Sequence, residues 1–203
     1  MGNDLNMRTS TAAEDRNAGR RPKITSITFP DSITEISIGT NSVLFYKNSS
    51  LRSITFPKNL KQIPYGFVKA CENLSTIKWP ETLEIIGTGE GRGVFVNTGL
   101  TELVIPEGVK IIGKAAFYGI SDYGFSGNKK LTSITIPDSV IEIGAEAFSS
   151  CPELTMVKMP SHPIKYLDLN ASKNDNNAFS YNPKLTSIAV RKAIQDTGYT
   201  GRF

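Results

Sequence analysis

The stretch Leu131–Cys151, with the sequence LTSITIPDSVIEIGAEAFSSC, is the clearest copy of a unit that recurs along this chain. Aligned on their first apolar residue, units one to seven begin at Ile24, Leu51, Leu74, Leu100, Leu131, Leu154 and Leu185. Six of the seven units have a proline six residues later, although the whole chain holds only 11 prolines. Successive units are 27, 23, 26, 31, 23 and 31 residues apart, so a 23-residue unit carries insertions. Such internal periodicity predicts a repeat solenoid.

The first part of the unit has the pattern of a short strand that stops abruptly. Ile134 and Ile136 are two residues apart and therefore lie on the same face of a strand. Pro137 ends the strand because proline has no amide hydrogen to give to a ladder. A second apolar pair, Val140 and Ile143, follows. The recurring phenylalanines come next, at Phe45, Phe67, Phe95, Phe117, Phe148 and Phe179. The alanines that precede the fourth and fifth phenylalanines favour a short helical turn.

One unit cannot bury these apolar positions alone, but stacked units can, with strands about 4.7–4.9 Å apart in a parallel sheet. We therefore expect a strand-rich α/β repeat solenoid with about seven short parallel strands and short helical turns, over residues 24–190. Residues 1–23 are polar and short of aromatic residues, which predicts a disordered leader or an expression remnant. Residues 191–203 are expected to terminate the array, because Arg191 replaces the proline, with a possible short helix at Lys192–Thr197.

The pattern L-x-x-I-x-I-P-x-x-V-x-x-I-G-x-x-A-F-x-x-C resembles the BspA-like leucine-rich repeat, also called the Treponema pallidum type, over about residues 24–190. Common leucine-rich repeats place an asparagine ladder after the strand. The corresponding positions here are Ser32, Asn59, Thr82, Gly108, Ser139 and His162, so no ladder is expected there. The resemblance implies a curved right-handed superhelix, with bacterial surface display and adhesion as its commonest associations. It thus implies an extracellular or cell-surface location. A cytoplasmic protein is the alternative, because the N-terminus lacks the apolar core of an export signal.

The charge distribution argues against a nucleic-acid partner. The net charge is +4, of which +2 falls in residues 1–23 and +2 in residues 191–203, so the repeats are close to neutral. Nucleic-acid binding would need a concentrated basic stripe. No apolar run approaches the roughly 18–20 residues of a membrane span. The sequence does not indicate an oligomeric state.

Residue types that often carry chemistry are few and do not form a known constellation. Cys71 and Cys151 lie the same number of residues after the leucines that begin units two and five. Because these units are three strand spacings apart in the predicted stack, the two backbones should be about 14 Å apart, too far for a disulfide. We expect two separate reduced thiols, partly buried. His162 is the only histidine and is expected in a surface loop without metal-ligand neighbours. The run Gly87–Gly93 fits neither common nucleotide-binding motif and is interpreted as an insertion. We expect no catalytic site, metal or cofactor, and no enzymatic activity.

Binding could use the outward face of the predicted strands. Trp79 occupies an inward offset and is expected in the core, not as a platform for a sugar. The outward positions are mostly serine and threonine, and an uncommitted soluble face is the plain alternative. Four of them have more chemical character: Lys78, Glu102, Met156 and Lys158.

The insertions are the second place where binding could occur. Unit four carries Tyr118, Tyr123 and Phe125 after its phenylalanine, and these aromatic side chains would either be exposed or fold back on the flank of the repeats. Units three and six also carry insertions. The favoured function is a non-enzymatic module that binds a host or matrix protein or a glycan. The alternative is a structural spacer or self-association array without a specific ligand.

Overall fold

The computed structural model describes residues 3–6, 24–39, 43–88, 93–118, 128–167 and 177–203, with residues 3–6 and 88 described by their backbone alone. It is a β-solenoid of about five turns with parallel sheets. In chain order its elements are β1 (Asn3–Asn6), β2 (Ser26–Thr28), β3 (Ile33–Ser37), β4 (Phe45–Tyr46), β5 (Ser53–Thr55), β6 (Gln62–Pro64), β7 (Val68–Lys69), β8 (Thr76–Lys78), β9 (Ile85–Thr88), β10 (Phe95–Val96), β11 (Glu102–Val104), β12 (Ile111–Ile112), β13 (Ser133–Thr135), β14 (Glu142–Ile143), β15 (Met156–Lys158), β16 (Lys165–Tyr166) and α1 (Ile188–Asp196).

The strands that precede each proline form one side of the solenoid, which we call the front sheet. It consists of β2, β5 and β8 in one parallel group and β11, β13 and β15 in another. Equivalent residues pair: Ile27 lies opposite Ile54, and Ile134 lies opposite Val157. The predicted inward residues point into the core. This confirms the strand prediction for six units, but in two groups of three rather than one sheet of seven.

The second apolar pair of each unit also lies in a strand. These strands had not been predicted from the sequence. These strands form the back sheet, in the parallel order β16, β14, β12, β9 and β6. One residue of each pair, for example Ile86 or Ile112, is completely buried between the two sheets. Parallel sheets normally have both faces covered, and the core between front and back sheets supplies the inner cover here.

The third side carries the recurring phenylalanines. In units one to three it forms a small parallel sheet of β4, β7 and β10. In units four and five the corresponding residues form turns, so the predicted short helical turns are not confirmed there. The phenylalanines do stack as a column: ring centroids of Phe95 and Phe117 are 5.6 Å apart, those of Phe117 and Phe148 5.6 Å, and those of Phe148 and Phe179 5.4 Å.

A ladder of polar side chains runs beside this column, three residues before the leading leucine in all units but one. Asn128 donates its amide hydrogens to the carbonyl oxygens of Phe95 (3.1 Å) and Phe117 (2.7 Å) and accepts from the Thr98 amide at 2.8 Å. Asn182 makes the equivalent bonds two junctions further on, to the carbonyl oxygens of Phe148 and Phe179 and from the Cys151 amide. The ladder consists of Asn48, Cys71, Thr98, Asn128, Cys151 and Asn182. This ladder lies before the front strand of each unit, at a position that the sequence had not predicted for one.

The predicted seventh strand is wrong: the residues from Ile188 onward form helix α1. Ser187 caps the helix by accepting from the Val190 amide, and no proline follows to stop the chain as in the other units. Val190 and Ile194 are buried against the last turn of the solenoid. Because a helix satisfies its own backbone hydrogen bonds, it covers the end of the core without presenting a new strand edge. The helix is longer than predicted and crosses the expected boundary at residue 190.

The opposite end is bordered by a strand from residues 1–23, which the sequence had predicted to be a disordered leader or an expression remnant. Strand β1 pairs in parallel with β3, with Leu5 opposite Ile36. β3 in turn lies beside β6 but forms no ladder with it. The back sheet therefore has a break between units one and two.

Candidate binding surface

The four polar or apolar residues singled out on the front sheet all point outward. Lys78, Glu102 and Lys158 are exposed, and Met156 is 53% exposed. Val104, which sequence reasoning did not select, is the most exposed apolar residue of this sheet at 61%. A β-branched residue at an outward offset was the signal that could have identified it.

Strand pairing places these residues in two rows. Glu102, Ser133 and Met156 lie level with one another across β11, β13 and β15. Val104, Thr135 and Lys158 form the adjacent row. The structure thus brings three of the four predicted front-sheet residues together. Lys78 belongs to the other group of strands.

A gap separates the two groups of the front sheet, between β8 of unit three and β11 of unit four. No ladder joins these two strands, and no Cα atom of β8 lies within 8 Å of a Cα atom of β11, all six residues being described. Paired neighbours in a sheet lie about 4.7–4.9 Å apart. The gap is therefore wider than one strand spacing.

Units three and four remain joined by backbone hydrogen bonds on both sides of this gap. Before the strands, the Gly99 amide donates to the Leu74 carbonyl at 2.9 Å. After them, the Lys110 amide donates to the Glu84 carbonyl at 2.8 Å, where the back sheet runs on without a break. The gap is a local opening in one side of a continuous solenoid.

A shortened connection explains the opening. In unit four only one residue, Gly99, stands between the ladder residue Thr98 and the leading leucine, whereas two residues stand there in the other units. Gly99 packs so closely on unit three that a Cβ atom would lie 2.5 Å from the Glu72 carbonyl oxygen. The Gly99 bond to Leu74 replaces the start of the ladder, and β11 leaves that contact displaced from β8.

The predicted burial of Trp79 is only partly confirmed, because Trp79 lies at this gap. Its indole ring stacks on Phe56 at 6.2 Å and meets Phe95 edge-on at 5.5 Å, so one side belongs to the core. The residue is nevertheless half-buried, as is Ile77 on β8. The residues equivalent to Ile77 in intact parts of the sheet, such as Ile54 and Ile134, are at most 1% exposed.

The two cysteines are free and buried in different units, as predicted. Their thiols take the place of asparagine in the ladder, with Sγ of Cys71 at 3.7 Å from the Phe45 carbonyl oxygen and Sγ of Cys151 at 3.8 Å from that of Phe117. Burial raises the pKa of Cys71 to about 11 and that of Cys151 to about 12. Both thiols are therefore protonated at neutral pH and poor nucleophiles.

His162 lies in a bend at the edge of the back sheet, in the surface position predicted. Its Nδ1 is 2.9 Å from the Pro163 carbonyl oxygen, and its Nε2 is 2.8 Å from the Asp138 carbonyl oxygen. Because both partners can only accept, the doubly protonated ring satisfies both bonds. These two bonds, with a smaller effect of the Asp138 charge, raise the pKa of His162. Among the described residues, no three histidine, cysteine, aspartate or glutamate side chains are grouped as a metal site requires.

The sequence pattern of the BspA type leucine-rich repeat region matches this chain in six copies, over residues 20–121 and 91–200. The chain belongs to the BspA-type leucine-rich repeat family. The family is a repeat scaffold, and the match indicates no catalytic family.

Solved structures of leucine-rich repeat proteins are similar to this chain. A leucine-rich repeat protein of T. pallidum is 18% identical with a TM-score of 0.50, and the alignment covers 90% of this chain and 87% of that one. A leucine-rich repeat protein of Bacteroides ovatus is 21% identical with a TM-score of 0.45, covering 80% of this chain and 47% of that one. A leucine rich cell surface protein of Faecalibacterium prausnitzii is 14% identical with a TM-score of 0.26, covering 80% and 71%. In a comparison with curated proteins, no sequence matched.

The insertions of this BspA-type chain fall largely outside the described residues. Tyr118 is described and half-buried, whereas Tyr123 and Phe125 are not described. Residues 89–92 of the glycine-rich run and residues 168–176 of unit six are likewise outside. In the described part of the chain, no helix has the length and apolar character needed to cross a bilayer.

A cavity of about 490 Å³ marks the break in the back sheet. It lies between β3 and β6, where Glu35 and Lys61 stand on opposite walls and Ile36 and Leu60 form the floor. It contains none of the residues predicted for binding.

Proposed function

We propose that this chain is a non-enzymatic interaction module that binds a host or matrix protein or a glycan on its front sheet, as an extracellular or cell-surface protein. Membership of a family of interaction repeats supports the general role. The observation that carries the choice of surface is the pair of rows on β11, β13 and β15, which place exposed Val104 and Met156 at two diagonal corners of one surface and Glu102 and Lys158 at the other two.

The chemistry of this surface suits a folded partner. Val104 and Met156 give apolar area on two strands that are about 10 Å apart, because one strand lies between them. An acid and a base flank them, Glu102 and Lys158. Protein interfaces combine apolar contacts with polar and charged ones, and a methionine adapts to an irregular partner surface.

A second part of the proposal concerns the aromatic insertion of unit four, whose Tyr118, Tyr123 and Phe125 would widen the surface. Aromatic side chains contribute large contact area at low entropic cost. Their role is separable from that of the front sheet by substitution.

The test is a binding screen of the whole chain against immobilised matrix proteins and glycans, followed by variants on any partner found. Met156→Glu and Glu102→Lys should each weaken binding at least tenfold, because the first replaces apolar contact area with a charge and the second reverses a charge on the same surface. Glu107→Lys is the matched control, since it makes the same charge change in an exposed turn outside the front sheet. Tyr123→Ala with Phe125→Ala tests the insertion.

The result also decides between a binding module and a spacer array. No partner in a broad screen, with unchanged self-association in the variants, would favour the spacer. Protease treatment of intact cells that make the protein tests its location, because only surface-exposed protein is cleaved.

A further inference from the structure

We infer that the gap between β8 and β11 receives one extended peptide strand of a partner, parallel to both edges and with the order basic–apolar–acidic. The inference rests on the proposed binding role of the front sheet and adds a site and a partner class to it. Completion of a sheet by an added strand is a recurring mode of peptide recognition.

The separation of β8 and β11 is compatible with one inserted strand. One inserted strand needs its two neighbours about 9.5 Å apart, which is twice the spacing of a sheet. β8 and β11 have no Cα atoms within 8 Å of each other, while each remains paired on its other side, β8 with β5 and β11 with β13. The two edges are therefore held in place by intact ladders, and their separation is greater than 8 Å.

The backbone groups on these edges are available for pairing. Within β8 and β11, all described, the backbone hydrogen bonds run to β5 and β13 and none crosses the gap. Unpaired amide and carbonyl groups on a strand edge are a template for another strand. An insert would gain bonds on both of its edges, unlike a peptide that adds to the outside of a sheet.

The apolar floor of the gap needs covering. Ile77 and Trp79 are half-buried, like Ile27 and Met159 at the outer strands of the two groups, whereas their counterparts on the interior strands β5 and β13 are buried. The central residue of an inserted strand would point inward, level with Ile77 and Leu103, because side chains alternate along a strand. An apolar residue at this position completes the core.

The charges beside the gap set the outer residues of the peptide. Equal repeat offsets place Thr76 level with Glu102, and Lys78 level with Val104. The first outward peptide residue would stand beside Glu102 and the second beside Lys78. Opposite charges across neighbouring strands are favourable and like charges are not, which selects a basic residue first and an acidic residue last. A parallel strand therefore has the order basic–apolar–acidic from N- to C-terminus.

Trp79 provides a direct readout, because it is the only tryptophan of the chain and lies at the gap. Two blocked peptides, GSKVESG and its counterpart GSEVKSG, have the same composition and no fluorescent residue. Titrated into the whole chain, the first should shift the Trp79 emission to shorter wavelength with weak affinity, ~0.1–1 mM for so few bonds. The second should bind at least threefold more weakly.

Charge reversal and backbone blocking test the geometry. The double variant Lys78→Glu with Glu102→Lys should invert the preference between the two peptides. Lys184→Glu is the matched control: it makes the same charge reversal at an exposed lysine in the turn before α1, outside the front sheet, and it should leave the preference unchanged. Methylating the backbone nitrogen of the peptide valine should weaken binding roughly tenfold, because it removes a ladder donor.

Four outcomes would overturn the inference. They are equal binding of both peptides, a preference for GSEVKSG by the unaltered chain, no shift with either, and a concentration-dependent Trp79 shift without peptide, which would assign the gap to a second copy of the chain. Each leaves the proposed function standing if Met156→Glu still abolishes binding of a folded partner. Conversely, peptide binding that persists when the folded-partner screen fails supports the gap alone.

Discussion

The solenoid has two breaks in its ladders, and they differ in kind. The front gap lies in the middle of the array, between β8 and β11, with no Cα atoms of the two strands within 8 Å. The back break lies at the end of the array, between β3 and β6, where several Cα pairs are within 8 Å. At the first, the other sides of the solenoid continue; at the second, β3 pairs with β1 instead. Two successive turns of a solenoid can therefore lack one ladder completely when the other sides of the same two turns remain bonded to each other.

At the front gap, the phenylalanine column should contribute most to the stability of the junction between units three and four. Phe117 is completely buried and stacks on Phe95, at the junction that carries the gap, and on Phe148. Phe117→Ala should lower the free energy of unfolding by about 3–5 kcal/mol, because it leaves a cavity in the core. Urea denaturation followed by circular dichroism measures this.

Phe45→Ala is the control for the column, because Phe45 is half-buried at the end beside the back break. Its loss should cost clearly less. Equal costs at the two positions would show that the column does not hold the interior junction in particular.

The polar ladder is the second interaction that stabilises the junction between units three and four. Asn128 bonds Thr98 and Phe95 of the neighbouring unit while completely buried. Asn128→Ala should cost about 1–3 kcal/mol, since it leaves buried backbone groups without partners. Cys151→Ala should cost less, because the thiol contacts at 3.8–3.9 Å are weak. Denaturation curves of both variants decide this, and a larger loss for the cysteine would contradict the ladder's role.

The repeat offsets predicted most of the front sheet but not its gap. Six strands, their inward residues and the stacking of phenylalanines follow from the spacing of Leu131, Ile134, Ile136 and Phe148 in every unit. The gap arises from one missing residue beside Gly99. A single deletion looks like ordinary variation in a sequence, although it decides whether two strands meet.

The errors at the C-terminal end have a similar physical origin. LTSIAV has the strand pattern of other units, but Ser187 can cap a helix and no proline follows it. The residues after it, including Ala193 and Gln195, are good helix formers. The outcome depended on covering the last turn of the core, which a local pattern does not encode. Of the residues predicted for binding, the four on the front sheet are exposed, Tyr118 is half-buried, and Tyr123 and Phe125 lie outside the described residues; the role of all seven is a proposal.

Gly99 is the third feature of the junction between units three and four, where the front gap lies. A Cβ atom there would meet the Glu72 carbonyl oxygen at 2.5 Å, and that oxygen belongs to the backbone. Gly99→Ala should therefore displace the Leu74 contact and cost about 1–3 kcal/mol. It should also raise the hydrogen exchange rate of the Gly99-position amide, which donates to Leu74. Mass spectrometry of exchanged peptides checks this, with the amides of the back sheet at Lys110 as the internal control. Unchanged exchange at residue 99 would contradict the shortened connection as the cause of the gap.

The smallest expected effect of a substitution is at His162. This residue lies at the intact end of the back sheet, beside β16, which can be compared with the interrupted end between β3 and β6. The turns after the proline are alike at both ends: the Asp138 carboxylate accepts from the Ser161 amide at 3.0 Å, and the Asp31 carboxylate accepts from the Lys58 amide at 3.0 Å. Only the intact end has a histidine, whose two carbonyl partners raise its pKa above the ordinary value of 6.5. Its folded pKa is the higher one, so its stabilising contribution is fully present below the unfolded pKa and is lost as pH rises through the folded pKa.

Because His162 is the only histidine, proton NMR of its ring gives this pKa without assignment. We expect a value above 6.5, and a smaller rise in Asp138→Asn, which keeps the carbonyl acceptor and removes the charge. The carbonyl bonds are the larger cause, so most of the rise should survive that substitution. A pKa at or below 6.5 would show that the ring does not bridge units five and six. The two ends of the back sheet would then differ only in strand pairing.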